Sequence, residues 1–135
     1  MTKRLLSCEF SGARFSPLEA ERRTGLSLTQ KQEPGQIGTR GRYKGEPLPY
    51  GAASLEASEA MLWQERWSLL LGQLAEHIET FRACGAEDVH LSHGYFYEGQ
   101  CNLEFSPEAL RQVADLGIPF CISCYMVPDW TEPAV

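Results

Sequence analysis

Basic residues are nearly missing from the last two thirds of this chain: residues 46–135 hold three Lys/Arg against fourteen Asp/Glu. Residues 1–45 reverse the balance, with nine against four, and the net charge is −6. A body this poor in cations repels a phosphate backbone, so nucleic acid is not an expected partner. It suits a basic protein partner, because opposite fields steer encounter and reject wrong partners. Long apolar runs are also lacking. None approaches the roughly 20 residues of a membrane span. The pair Leu5-Leu6 falls short of the roughly 7–15 apolar residues of a secretory signal. The expectations are therefore no membrane partner and a cytoplasmic location.

Catalytic and cofactor motifs are scarce in the same way. Three histidines offer few general bases, so a nucleophile triad has little to draw on. The spacing Gly35-x-x-Gly38-x-x-Gly41 matches neither the phosphate loop nor the dinucleotide fingerprint. The set His90, His93 and Cys101 has the residue types of a zinc site. On a strand, however, positions three apart point to opposite faces, which separates the two imidazoles. No catalytic residue, metal or cofactor is expected, although His93 and Cys101 could face each other across a hairpin.

Five cysteines are an odd number in apolar contexts, which fits core or half-buried thiols in a reducing compartment better than a disulfide framework. Cys121-Ile-Ser-Cys124 has redox-motif spacing. It lies in a strand-like run, Ile118 to Val127, so its sulfurs should diverge. A redox pair of this kind sits instead at a helix N-terminus.

What the chain does carry is punctuation. Phe15-Ser16-Pro17 and Phe105-Ser106-Pro107 each follow a strand-like run and open a helix, and each helix stops at Gly-aliphatic, Gly25-Leu26 and Gly117-Ile118. Ser caps, Pro fits the first helical position, and Glu19 completes a capping box. A strand over Arg4–Phe10 precedes the first helix, and a second strand follows at Leu26–Leu28. Residues 33–58, rich in Gly and Pro, read as a long loop.

A short strand is expected over Ala60–Ser68. A helix from Trp67 follows, capped by Ser68, with Leu70, Leu71, Leu74, Ile78 and Phe81 at helical spacing. Residues 87–105 alternate like a hairpin turning at Glu98-Gly99-Gln100. The expected order is β-α-β-(loop)-β-α-β-β-α-β: one α+β domain, a mostly antiparallel sheet with about three helices on one face, and a tail at 128–135.

Aromatic residues concentrate in the second half, and rings in an acidic field are what a protein-binding surface uses. The candidate contact set is Glu65, Glu76, Glu79, Glu87 and Asp88, with Tyr97 and Trp130 as exposed anchors. A small-molecule-binding domain or cryptic enzyme, with the 33–58 loop as a lid and His93 and Cys101 in the pocket, is the alternative. A homo-oligomer paired through the hairpin edge is a third.

The pattern resembles a bacterial family, the domain of unknown function 4279. The similarity runs from Phe15-Ser16-Pro17 and Thr24-Gly25-Leu26 through Phe105-Ser106-Pro107 and Leu116-Gly117-Ile118 to Tyr125, over about residues 5–127. The Gly/Pro-rich stretch near 34–52 is longer than that pattern needs. The resemblance implies no catalytic residues. By its likeness to small acidic proteins encoded beside toxins, it implies an immunity or antitoxin-like role in which a toxin domain is bound and occluded.

Overall fold

A computed structural model describes residues 2–127. Five strands and three helices follow one another as β1 (Lys3–Gly12), α1 (Pro17–Thr24), β2 (Thr29–Gln32), β3 (Gly51–Glu56), α2 (Trp63–Ala83), β4 (Asp88–Tyr97), α3 (Pro107–Leu116) and β5 (Phe120–Met126). The fold is α+β, with sheet order β2-β3-β1-β4-β5. Every neighbouring pair is antiparallel except β4 with β5.

The topology explains why, among the described residues, one face of the sheet carries no helix. Each helix joins two strands that run the same way: β1 to β2, β3 to β4 and β4 to β5. Such crossovers are almost always right-handed. The first moves across the sheet against the other two, but its strands also run the opposite way. All three right-handed turns therefore land on one side. Burial agrees: Leu6, Cys8 and Phe10 of β1 and Leu91 of β4 are in the core, while their neighbours Leu5, Ser7, Glu9 and Ser92 are not. Phe10 stacks on Phe81 of α2 with ring centroids 4.1 Å apart.

Both serine-proline helix entries form as the sequence indicates. Ser16 Oγ accepts from Glu19 N–H at 3.2 Å and Ser106 Oγ from Ala109 N–H at 3.1 Å. Gly25 and Gly117 close their helices in the left-handed region, at φ 74° and 67°. The capping box is only half made. Ser16 N–H donates to Cys84 O at 3.1 Å, tying α1 to the end of α2, and the Glu19 carboxylate accepts from Arg22 instead.

Four expectations about the elements are corrected. The strand placed at Ala60–Ser68 lies earlier, at Gly51–Glu56, inside the stretch read as a loop. Small residues hid it: Gly51 is pressed against Phe15 O, with no room for a Cβ. Helix α2 starts at Trp63 rather than Trp67, because Trp63, Trp67, Leu70 and Leu74 continue one helical stripe. Strand β2 begins just after Leu28. Residues 101–105 form no return arm, since β1 and β5 already occupy both edges of β4.

Candidate functional site: the open sheet face

Alternation along the strands puts a grid of side chains on the bare face. Across β3, β1 and β4, one row is Ser54, Glu9 and His90, and the next is Glu56, Ser7 and Ser92. At the far end Lys3 and Tyr125 flank Phe96. Two adjoining hollows run along this grid, of about 570 and 510 Å³, and both are lined by Glu9 and Gln30. The first also takes in Asp88 and His90, the second Glu56, Gly94, Phe96 and Tyr125. Gly94 is part of the reason for the depression, since it contributes no side chain between Leu5 and Phe96.

The groove is acidic. Glu9 accepts from Ser7 Oγ at 2.8 Å through one oxygen and from Ser54 Oγ through the other. Those bonds fix its direction and leave its charge unopposed. Glu56 and Asp88 are exposed, and among the described residues no cation pairs with either. The groove's one lysine, Lys3, is 3.6 Å from Glu59. At the opposite end from Asp88, Phe96 and Tyr125 stack at 4.8 Å with rings 20° apart, and Tyr125 is 51% exposed. A carboxylate trough ending in an aromatic platform can receive a cationic, partly apolar protein surface.

The structure divides the contact residues expected from sequence. Glu65, Glu76 and Glu79 are exposed on α2, eleven and fourteen positions apart, which brings them to one side of the helix. Glu79 is held by Arg82 at 2.8 Å. Asp88 lies on the other side of the molecule, in the groove. Glu87 is exposed beside it, with its N–H bonded to Ser11 O. Tyr97 is half-buried at the far end of β4, stacked on Tyr95 at 6.1 Å. Trp130 lies outside the described residues.

Sequence reading missed Glu9, Glu56, Phe96 and Tyr125 as a set. The signal was present in β1, where polar Ser7, Glu9 and Ser11 alternate with apolar Leu6, Cys8 and Phe10.

His93 and Cys101, which a hairpin could have brought face to face, instead take other partners. Cys101 Sγ lies 3.8 Å from Cys124 Sγ. His93 is fully buried on the helix side, accepting from Arg4 Nε at 3.1 Å and packed on Trp63 at 4.6 Å. Burial first, then the charges of Arg4 and Arg66, lower its pKa to about 4. His90 lines the groove, so the two imidazoles do lie on opposite faces. Cys121 and Cys124 also sit on a strand, as expected, but both are exposed rather than half-buried, because β5 is the edge. Among the described residues no three His, Cys, Asp or Glu side chains form a metal-ligand cluster. None of the described helices is long and apolar enough to cross a membrane.

Comparison with known proteins gives no matching family model, no matching curated protein and no matching solved structure. The functional reading rests on this chain's own geometry.

Proposed function

We propose that this protein binds and occludes a basic protein domain, in the manner of an immunity or antitoxin-like protein, and that the open sheet face is the docking surface. The observation that carries this reading is the groove that no described helix covers, in which Glu9, Glu56 and Asp88 meet no cation among the described residues. Partner lysines and arginines neutralise those carboxylates, and the Phe96–Tyr125 platform supplies the apolar anchor. Rim charges act mainly on the rate of encounter.

Capture from the native host, repeated at rising salt, tests the reading. The expected result is a partner with a basic surface, whose yield falls with salt and whose own activity is blocked when the two purified proteins are mixed. A captured partner held equally at all salt concentrations, or fully active in the complex, overturns it.

A second reading, self-association, is favoured by one observation. Edge strand β5 has the sequence FCISCYM, carries no charge, and exposes Ile122, Tyr125 and Met126. An apolar edge without charge is a template for another strand. Sedimentation across a concentration series decides it: a monomer throughout removes this reading.

A further inference from the structure

We propose that Arg4 and Arg66, with the first turn of α2, form a second site that binds an oxyanion group of a small molecule, a carboxylate or a phosphate. The site lies on the helix side of the sheet and is independent of the docking groove. Arg4 comes from β1 and Arg66 from α2, and both guanidinium groups approach one indole, 3.5 and 5.2 Å from the Trp63 ring centroid. Arg4 donates to His93, and Arg66 donates to Arg4 O at 2.7 Å. Among the described residues neither cation pairs with a carboxylate.

Two like charges held against one ring repel each other, and an anion beside them would offset that repulsion. Desolvation pulls the Arg4 guanidinium below its ordinary pKa. Tyr95 opposes that shift and Arg66 adds to it.

Unsatisfied donors mark the same cluster. Arg66 is only 9% exposed, yet its Nε has no partner. His93 is 0% exposed and its Nδ1 has none either. Because Nε2 accepts from Arg4, the proton of the neutral ring sits on Nδ1, which is therefore an unpaired donor. Buried donors without partners are rare in native proteins, and a missing ligand is one cause.

Helix α2 adds a third source of positive potential. It is 21 residues long, and its N-cap, Leu62, offers no side-chain cap, so its leading N–H groups stay open on the turn that carries Arg66. The nearest opposing charge on that turn is Glu65, which is exposed. Planar guanidinium forks select oxyanions with two or more oxygens.

Thermal unfolding of the full chain is measured with inorganic phosphate and, separately, with citrate, against chloride at equal ionic strength. The expected result is a saturable rise in melting temperature with at least one of the two anions. Which of them acts assigns the group as phosphate or carboxylate. The half-exposed Arg4→Gln should weaken the response at least tenfold, and Arg66→Lys, which keeps the charge but loses the fork, should weaken it as well. In the folded wild type, the Trp63 indole N–H resonance should move on anion addition while that of Trp67, which donates to Gln112, stays. No rise above chloride with either anion, or an undiminished response in Arg4→Gln, overturns the proposal.

Discussion

Arg4 Nε donates to His93 Nε2 at 3.1 Å, and this contact joins β1 to β4 at a fully buried imidazole. The groups around the ring are Arg4 from β1, Arg66 from α2 and Tyr95 from β4, and the two arginines both oppose a charge on it. His93 therefore stays neutral in the folded protein down to pH about 4, against 6.5 for an ordinary histidine. In the unfolded chain it takes up a proton at the ordinary value. The unfolded state thus binds more protons between pH 6.5 and 4, and stability is lost as pH falls through that window. The loss amounts to roughly 3 kcal/mol. His93→Gln keeps an acceptor for Arg4 and removes the titration. Urea unfolding at a series of pH values should show a shallower decline for the variant than for the wild type, and parallel curves would contradict this account.

Two glycines should respond in opposite directions to the same substitution. A Cβ at Gly51 would stand 1.8 Å from Phe15 O, where β3 meets the turn before α1. Gly51→Ala must push the backbone aside and should cost about 2–4 kcal/mol. Gly72 sits in the interior of α2 with nothing within 4 Å of an added Cβ. Gly72→Ala should stabilise by up to about 1 kcal/mol, through helix propensity and a less flexible unfolded chain. Denaturant midpoints measure both.

Cys101 and Cys124, with sulfurs 3.8 Å apart, should close a disulfide under oxidised glutathione. The two thiols give up two protons and two electrons, and the oxidant leaves as two reduced glutathione molecules. Desolvation and then the hydrogen bond with Cys124 raise the Cys101 thiol, so closure should quicken as pH rises. Intact mass should fall by two hydrogens in the wild type and in Cys121→Ser, whose sulfur belongs to the other face. Cys101→Ser should show no such loss.

Residues with strong local chemistry were readable before the structure. Ser16-Pro17, Ser106-Pro107, Gly25 and Gly117 set helix ends through backbone bonds within a few residues. The strands were harder to read, because pairing decides them. Gly51 to Glu56 has little strand propensity of its own and is ordered between β1 and β2. Residues 101–105 alternate like a strand but find no free edge on β4. The same limit applies to the site. Glu9, Glu56 and Asp88 meet only because three strands align, whereas Glu76 and Glu79 could be placed together from helical spacing alone. Arg4 and Arg66 are 62 positions apart, and no local pattern joins them.

Capture of the partner from the native host with two charge-reversed forms tests the central claim most directly. One form carries Glu56→Lys and Asp88→Lys in the groove, and the other carries Glu76→Lys and Glu79→Lys on α2. All four side chains are exposed, so both proteins should remain folded, as circular dichroism can verify. The account predicts that the groove form loses the basic partner, mainly through slower association, while the helix form retains it. Undiminished capture by the groove form would contradict the account.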